Sequence, residues 1–199
     1  MMTVIVKGRE MSLDSREKMI LAAQELLSER GYAGTSFGDV IERSGAPRGS
    51  IYHHFPGGKQ QLVTEAVQRY AAGVLAAIAK ADEAGSSVDT VRVFVDVVRR
   101  GLRASDFRLG CAIAGVVLDA TPSDVELLAL TSAAFQGWRV RLAGAFRRDG
   151  ATEAQARRLA TLVVASVEGA MMLARAERDV TPVVDVGHEL EAHVRAALG

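Results

Sequence analysis

The feature that most constrains the fold of this chain is a long helical pattern of apolar residues over positions 152–178. Apolar side chains recur there at i, i+3 and i+4 from Leu159 onward, which predicts one long α-helix. The opposite face is apolar too, because it carries Val164, Met171 and Met172. A helix that is apolar all round has to be covered on both sides. We therefore expect one face to meet the chain's own core and the other to meet a second subunit.

The predicted subunit interface combines this helix with a final helix that follows the break at Thr181-Pro182. Two such helices from each of two chains would form an intersubunit four-helix bundle. Which face of the 152–178 helix meets the second subunit is left open. The residues predicted for the interface are Leu159, Val163, Val167, Ala170, Ala174, Val186, Leu190 and Val194.

The rest of the chain also follows helical periodicity and predicts an all-α protein. The segment 91–98 is ambiguous, because its alternating valines fit a strand as well as a helix. Its length and the lack of a partner strand favour a helix. Residues 1–11 are interpreted as a loose arm. The other predicted helices cover about residues 15–30, 36–44, 48–54, 62–81, 110–120 and 125–148.

Composition limits the class of protein without revealing a function. The 199 residues are 49% hydrophobic and 24% charged, which is ordinary for a soluble globular protein. The single cysteine, Cys111, excludes an internal disulfide and fits a reducing cytoplasm. We see no signal peptide and no run of about 18 apolar residues that would span a membrane. A cytoplasmic protein without a membrane segment is expected.

Charge by itself does not point to a nucleic acid, since Lys and Arg balance Asp and Glu at 24 each. Residues 1–59 hold 8 basic and 7 acidic side chains, a net charge of only +1. DNA binding would therefore depend on local placement of charge. It would require the acidic residues Glu17, Glu25 and Glu29 to face away from the DNA.

Residues 34–59 predict two short helices joined by a tight turn. Ser36 and Asp39 have the spacing of a capping box, and Gly45 is a typical end of a helix. Pro47 then stands where a second helix would begin. That helix is short and rich in hydrogen-bond donors, so it would bury little surface. Such a helix suits a DNA major groove, which has room for one.

The same segment resembles the helix-turn-helix of TetR-type transcriptional regulators. The positions that carry the resemblance are Thr35, Val40, Gly45, Gly49, Ile51, Tyr52, His54, Phe55 and Lys59. Two departures are Pro47, where the family usually has serine, and the extra residue in Pro56–Gly58 before the lysine. The stretches GCAIAGVVLDA and VEGAMMLARAERDVTPV further resemble a subgroup similar to lincomycin- and flavonoid-responsive repressors.

This resemblance implies a DNA-binding head at residues 1–58 and a regulatory and dimerisation body at residues 59–199. A homodimer would place two recognition helices in successive major grooves of a near-palindromic, double-stranded operator. Arg48 is the best candidate to read a base, and Lys59 matches a phosphate-contacting position. The predicted DNA-binding residues are Thr35, Ser36, Pro47, Arg48, Gly49, Ser50, Tyr52, His53, His54 and Lys59.

The resemblance also implies a small effector bound in the body, for which apolar or aromatic chemistry is expected. Glu168 stands alone in an apolar helix, so it is expected to pair with an arginine, contact a ligand or lie at the dimer interface. An ordinary solid core is the alternative. The residues predicted to line the cavity are Phe94, Leu102, Phe107, Cys111, Val117, Phe135, Trp138, Glu168, Met171 and Met172.

Enzymatic and metal-binding interpretations have weaker support. Residues Gly34–Gly38 match the G-x-S-x-G elbow of α/β-hydrolases, but that motif needs a strand before it and a helix after it. His53 and His54 are adjacent, so on a helix they point about 100° apart and cannot share a metal. We expect no enzyme, metal or cofactor. A DNA-binding or interaction protein without an inducer remains an alternative.

Overall fold

The computed structural model describes residues 14–199, so the predicted arm at residues 1–11 lies outside the described residues. The described part is all-α, as predicted, and contains no strand. Its helices are α1 (Ser15–Arg30), α2 (Phe37–Ser44), α3 (Ser50–His54), α4 (Gly58–Ala84), α5 (Ser87–Ala104), α6 (Ala112–Asp119), α7 (Val125–Arg148), α8 (Glu153–Glu177) and α9 (Thr181–Leu198).

The predicted helix ends are close to those observed, and the differences have local causes. Helix α2 begins one residue after the predicted Ser36, because Ser36 is its N-cap. Helix α3 is shorter than predicted, since Arg48 and Gly49 lie in the turn that precedes it. Helix α4 extends beyond the predicted 62–81 at both ends.

The ambiguous segment 91–98 is helical and belongs to α5. A capping box starts this helix: the Asp89 N–H donates to Ser86 Oγ at 3.3 Å, and the Ser86 N–H donates to the Asp89 carboxylate at 3.0 Å. Val91, Phe94 and Val95 are then buried on one face. The helical spacing of these residues outweighs the alternation of valines, because it places the largest side chains in the core.

Helix α4 joins the two parts of the molecule. It packs against α1 on one side and against α5, α6 and α7 on the other. The indole of Trp138 on α7 donates to the Ala71 carbonyl at 3.1 Å, and Tyr70, Phe94 and Phe135 surround its ring. Helix α8 packs between α7, α9 and α5. The head, α1–α3, is therefore attached to the body through the long helix α4 and, further along α1, through α6.

The residues predicted for a subunit interface lie instead in the core of the single chain. Leu159, Val163, Val167, Ala170, Ala174, Leu190 and Val194 are all buried, and Val186 is half-buried against the same core. Side chains covered by their own fold offer no surface to a second subunit, so the buried residues on this list belong to the core of the single chain, and the face of α8 that was left open for the interface is the exposed one. The exposed face carries Leu162, Met172 and Leu173, which are 42%, 61% and 53% exposed.

Two helices reach the length and apolar composition of a membrane span. They are Gly58–Glu83 and Glu153–Glu177, with mean hydropathies of 1.2 and 1.5. The sequence predicted no membrane span, because neither helix contains an uninterrupted run of about 18 apolar residues. Both helices pack against several others in the helical core, and this packing accounts for the buried part of their apolar surface.

Candidate functional site

The turn between α2 and α3 is fixed by the local signals that the sequence contains. The Asp39 N–H donates to Ser36 Oγ at 3.2 Å, and the Ser36 N–H donates to the Asp39 carboxylate at 3.0 Å, which completes the capping box. Gly45 ends α2 with φ of 66°, in the left-handed region that favours glycine. Both the N–H and the hydroxyl of Ser50 donate to the Pro47 carbonyl, at 3.0 and 2.6 Å. These bonds set the angle at which α3 leaves the turn.

Helix α3 is held by two buried side chains and exposes most of the others. Ile51 is 1% exposed and Phe55, just after the helix, is 0% exposed. The Arg16 guanidinium lies 5.3 Å from the centre of the Phe55 ring. Tyr52 is 70% exposed, and the edge of its ring packs against Phe37 with the centroids 5.5 Å apart. The helix is thus anchored on one side and presents polar groups on the other.

Several predicted DNA-binding residues meet at one surface. Ser36, Arg48 and Tyr52 line a groove of about 810 Å³ between α2 and α3. Pro47, Gly49 and His53 are exposed around it, whereas Ser50 and His54 are half-buried. A donor-rich, convex helix beside an open groove is the shape that docks into a DNA major groove. We call the eight residues Ser36, Pro47, Arg48, Gly49, Ser50, Tyr52, His53 and His54 the recognition surface.

Thr35 and Lys59 are engaged within the protein, in contrast to the prediction that they contact DNA. Thr35 is 2% exposed, and its hydroxyl donates to the Gly31 carbonyl at 2.7 Å. The Lys59 ammonium donates to the Tyr32 carbonyl at 2.7 Å and lies 4.1 Å from the centre of the Tyr32 ring. Burial lowers the pKa of Lys59, although the nearby Asp119 and Asp39 carboxylates oppose this effect. In this arrangement both residues stabilise the head.

The acidic residues of the head are paired with arginines. Arg43 on α2 bonds Glu29 at 2.9 Å and Glu25 at 3.3 Å, and its hydrogen bond lowers the pKa of Glu29. Arg69 pairs with Glu17. Each of the three carboxylates that would repel DNA thus has an arginine partner, with Arg43 shared by two of them, which lowers the negative charge that they present. Glu42 differs from them, since it is exposed and lines the groove beside Arg48.

Most of the residues predicted to line an effector cavity form a solid core or lie at the surface. Phe94, Leu102 and Trp138 are buried and closely packed, and Phe135 packs edge-on to Trp138 at 5.4 Å. Phe107 is half-buried and packs against the core, and Val117 is 37% exposed. Aromatic content predicted a cavity here, but the rings fill the space against one another.

A cavity of about 270 Å³ lies elsewhere, between the end of α1, one face of α6 and the second half of α8. Four of the predicted residues do line it: Cys111, Glu168, Met171 and Met172. The sequence reading missed its other walls, which come from helices far apart in the chain. They are Leu27, Ser28, Glu29, Arg30, Gly31, Gly110, Ala114, Gly115, Leu118, Asp119 and Arg175.

Glu168 and Cys111 line this cavity, and Tyr70 lies next to Cys111 behind the wall. Burial raises the pKa of Glu168 to about 7, while a hydrogen bond from the Cys111 thiol opposes the rise. Burial, together with the Glu168 carboxylate, also raises the pKa of Cys111. Burial raises the pKa of Tyr70, with Cys111 as a second cause. Cys111 and Tyr70 are consequently neutral near pH 7. Of these three side chains, Glu168 is the one that can be charged at that pH.

The cavity adjoins a tight junction between the head and the body. The Gly110 N–H donates to the Ser28 carbonyl at 2.8 Å, and the Ala33 N–H donates to the Asp119 carboxylate at 2.8 Å. Helix α6 crosses α1 at Gly115, where an added Cβ would lie 2.5 Å from the Leu27 carbonyl oxygen. This close approach depends on glycine. The junction therefore couples the end of α1 directly to α6.

Within residues 14–199, the structure supports neither a hydrolase nucleophile at Ser36 nor a metal site. Ser36 of the G-x-S-x-G match caps α2, and its hydroxyl is 2.5 Å from Asp39. The segment before it is the helix α1, whereas a nucleophile elbow follows a strand. Among the described residues, no group of three or more His, Cys, Asp or Glu side chains is placed to hold a metal.

Comparison with known proteins supports the helix-turn-helix interpretation. Residues 20–66 match the family model described as "Bacterial regulatory proteins, tetR family". Residues 87–189 match the one described as "Transcriptional regulator LmrA/YxaF-like, C-terminal domain". The chain belongs to the TetR family. It is accordingly a DNA-binding transcriptional regulator, in agreement with the sequence prediction, and the family is generally not enzymatic.

Individual members of the family align over nearly the whole chain. The HTH-type transcriptional regulator Rv0196 of Mycobacterium tuberculosis is 39% identical and aligns over 92% of this chain and 95% of its own. LmrA of Bacillus subtilis is 30% identical over 87% of this chain and 93% of its own. The fold is similar to that of the TetR-family regulator CifR, solved with double-strand operator DNA, with a TM-score of 0.75, 21% identity and coverage of 96% and 100%.

Proposed function

We propose that this TetR-family regulator is a homodimeric repressor that leaves a near-palindromic operator when a small molecule binds its body. The recognition surface is the observation that carries the proposal. It exposes Arg48 in the turn before α3 and Tyr52 and His53 on α3, while Ile51 and Phe55 are buried beneath them. Two such surfaces on a two-fold axis would meet successive major grooves of one DNA duplex.

Within the recognition surface, Arg48 is proposed to read a base and its neighbours to contact phosphates. A guanidinium can donate twice to the O6 and N7 atoms of guanine. Gly49 has no atom within 4 Å of an added Cβ, so the backbone there is open to a phosphate. Tyr52 is oriented by Phe37, and its hydroxyl is available to the DNA backbone. Lys59 contributes by holding Tyr32 in place rather than by a direct contact.

The dimer is proposed to form through the exposed face of α8 together with α9. Leu162, Met172 and Leu173 lie on this face with the small residue Ala165 between them, and all four are exposed in the single chain. Apolar side chains of this size on a soluble protein mark an interface. Two copies of α8 and α9 would cover them in the four-helix bundle expected from the sequence.

We place this regulator in the cytoplasm, with residues 1–58 as the DNA-binding head and residues 59–199 as the regulatory body. The beginning of α4 at Gly58 supports the boundary, and the free thiol of Cys111 fits a reducing compartment. The match to the LmrA/YxaF-like domain over residues 87–189 supports the narrower proposal of a relative of lincomycin- and flavonoid-responsive repressors.

Fluorescence anisotropy on DNA from upstream of the protein's own gene, against scrambled DNA of equal length, tests this function. We expect sequence-selective binding whose affinity falls steeply with salt, because phosphate contacts release counterions. Arg48→Ala should lose about 1–3 kcal/mol of preference for the operator. Unchanged preference in Arg48→Ala would refute the base-reading role. Equal, weak binding to both DNAs and to sites selected from random DNA would refute the function.

A regulator without an effector is the second candidate, because the aromatic residues predicted to line a cavity form a filled core. One measurement distinguishes a ligand-responsive regulator from a regulator without an effector. A screen for compounds that release the operator in the same anisotropy assay should find one only if the body responds to a ligand.

A further inference from the structure

We propose that the cavity between α1, α6 and α8 binds a small molecule that carries a protonated amine beside a compact apolar group, with Glu168 as the counter-ion. This inference rests on the proposed ligand-responsive function and names the chemistry of the ligand. It departs from the purely apolar or aromatic effector expected from the sequence.

The walls of the cavity combine apolar side chains with several charged ones, and Glu168 is the carboxylate that α8 contributes. Leu27, Ala114 and Met171 contribute carbon atoms from three helices, and the exposed Leu118 and Met172 stand at its mouth. Ligand pockets combine such walls with a few polar groups that fix orientation. At about 270 Å³, the cavity is slightly below the ~300 Å³ at which typical ligand pockets begin. It suits a molecule of about one ring.

Glu168 has no basic partner among the residues that the structure describes. The forces on its carboxyl are burial and the hydrogen bond from the Cys111 thiol, with no contribution from a lysine or arginine. An ionised carboxylate that is largely buried without a partner is costly. A cation at hydrogen-bond distance would remove that cost, since it would pair with the charged form of the carboxyl.

The other charged side chains around the cavity already make hydrogen bonds or ion pairs within the protein. A cationic ligand therefore fits the cavity better than an anionic one. Arg175 donates to the Arg108 carbonyl at 2.9 Å and the Glu29 carbonyl at 3.3 Å. Arg30 pairs with Asp39, and the Glu29 carboxylate pairs with Arg43. The Asp119 carboxylate accepts from the Ala33 N–H. Among the charged side chains that the structure describes around the cavity, Glu168 is therefore the one with neither an ion pair nor a backbone hydrogen bond.

A ligand in this cavity would touch both the head and the body. Residues 27–31 of its wall belong to the end of α1, which is part of the head, whereas Glu168 and Met171 belong to α8. Helix α6 lies between them. Gly110, just before α6, donates to the Ser28 carbonyl of α1, and Asp119 at the end of α6 accepts from the Ala33 N–H, just after α1. A ligand that fits one relative position of α1 and α6 better than another would shift the equilibrium between them. The head would then follow the occupancy of the cavity.

The test uses the full-length protein and three probes of matched size: benzylamine, benzyl alcohol and benzoate. Their affinities for wild-type protein and for Glu168→Gln are measured by titration in NMR or calorimetry near pH 7. The control is Glu177→Gln, which removes an exposed carboxylate from the same helix. We expect wild-type protein and the control to bind benzylamine at least about tenfold more tightly than benzyl alcohol or benzoate. Glu168→Gln should remove that preference.

A second variant tests the position of the site. Ala114→Leu adds carbon atoms to the cavity wall and should weaken binding of benzylamine and benzyl alcohol alike, in a protein whose circular dichroism and melting temperature confirm that it is folded. Equal binding of the three probes, no binding of any of them, or a preference for benzylamine that survives Glu168→Gln would each overturn the proposal. Selective operator binding is measured without any probe, so these failures would leave the proposed DNA-binding function standing.

Discussion

Helices α3 and α8 differ in how much of each is buried, and this difference separates the two functional regions of the molecule. Helix α3 has 5 residues, of which Ile51 is buried. Helix α8 has 25 residues and buries nine of them. Most side chains of α3 are at least partly exposed, so the role of this helix follows from its residue types. Many side chains of α8 are buried, and the role of this helix depends on which neighbouring helices cover each of its faces.

The consequence is a different tolerance to substitution in the two helices. In α3, the exposed side chains contribute little to stability and much to the proposed DNA contact, while Phe55 next to them anchors the helix. In α8, a change at Glu168 alters both stability and the cavity, because the carboxyl is enclosed by other helices. Substitutions in both helices, and at the junction between head and body, would test this contrast.

Phe55→Ala should lower the free energy of unfolding by about 3–5 kcal/mol, because it empties a fully buried site beneath α3. Tyr52→Ala, three residues earlier and 70% exposed, should cost less than about 1 kcal/mol of stability and still weaken operator binding. Urea denaturation and fluorescence anisotropy measure the two effects. A loss of stability in Tyr52→Ala as large as that in Phe55→Ala would remove the distinction between anchor and reader in α3.

Glu168→Gln should stabilise the protein above pH 7. Folding raises the pKa of Glu168 from its ordinary value of 4.5 to about 7, so the folded state favours the protonated form. The stabilisation from this group is present below pH ~4.5 and is lost as the pH rises through ~7, which costs up to about 3 kcal/mol. The gain of the glutamine variant over wild type should therefore grow between these pH values and then level off.

Denaturant unfolding of wild-type and Glu168→Gln protein at several pH values measures this gain. The matched control is Glu177→Gln at the exposed end of α8. If the control showed the same pH-dependent gain, or if the Glu168 variant showed none, the burial of Glu168 would not be the cause.

The same substitution at two glycines should have opposite effects. Gly115→Ala would bring a Cβ within 2.5 Å of the Leu27 carbonyl oxygen at the junction of head and body and should destabilise the fold by about 1–3 kcal/mol. Gly137→Ala on α7 meets nothing within 4 Å and should stabilise it by about 0.5–1 kcal/mol through helix propensity. Thermal melts compare the two; effects of the same sign would mean that the α1–α6 contact is not tight.

Glu42→Gln should strengthen binding to all DNA sequences slightly, by less than about 1 kcal/mol, because it removes an exposed negative charge from the groove beside Arg48. Anisotropy titrations at low salt are the suitable measurement. Glu83→Gln at the far end of α4, also exposed, serves as the control. Equal gains from both variants would point to net charge alone rather than to the position of Glu42.

Much of the head could be predicted from sequence because its signals are local. The capping box of Ser36 and Asp39, the left-handed Gly45 and the turn at Pro47 each act within four residues. They fix the helix ends and the exposure of Arg48 and Tyr52. Local signals did not predict the partners of Thr35 and Lys59 within the protein. These partners are the carbonyls of Gly31 and Tyr32, which depend on how α1 ends beside α2 and α4.

The body could be predicted as helices but not as an arrangement of helices. Periodicity located α8 to within one residue at each end, yet it did not tell the core face from the exposed face, because both faces are apolar. Aromatic content suggested a cavity around Trp138, where the rings in fact fill the space. The real cavity takes its walls from residues 27–31, 110–119 and 168–175, and no local signal connects these three segments.

The sequence by itself determined the all-α class, the capped helix ends, the helix-turn-helix and its family, because caps, turns and periodicity depend on neighbours within a turn or two. Only the tertiary structure decided that Val163 and Leu190 face the core and that Glu168 meets no basic side chain within residues 14–199. It also decided that α1 and α6 meet at Gly115. These facts depend on packing between helices distant in the chain, where shape and volume decide which surfaces are buried.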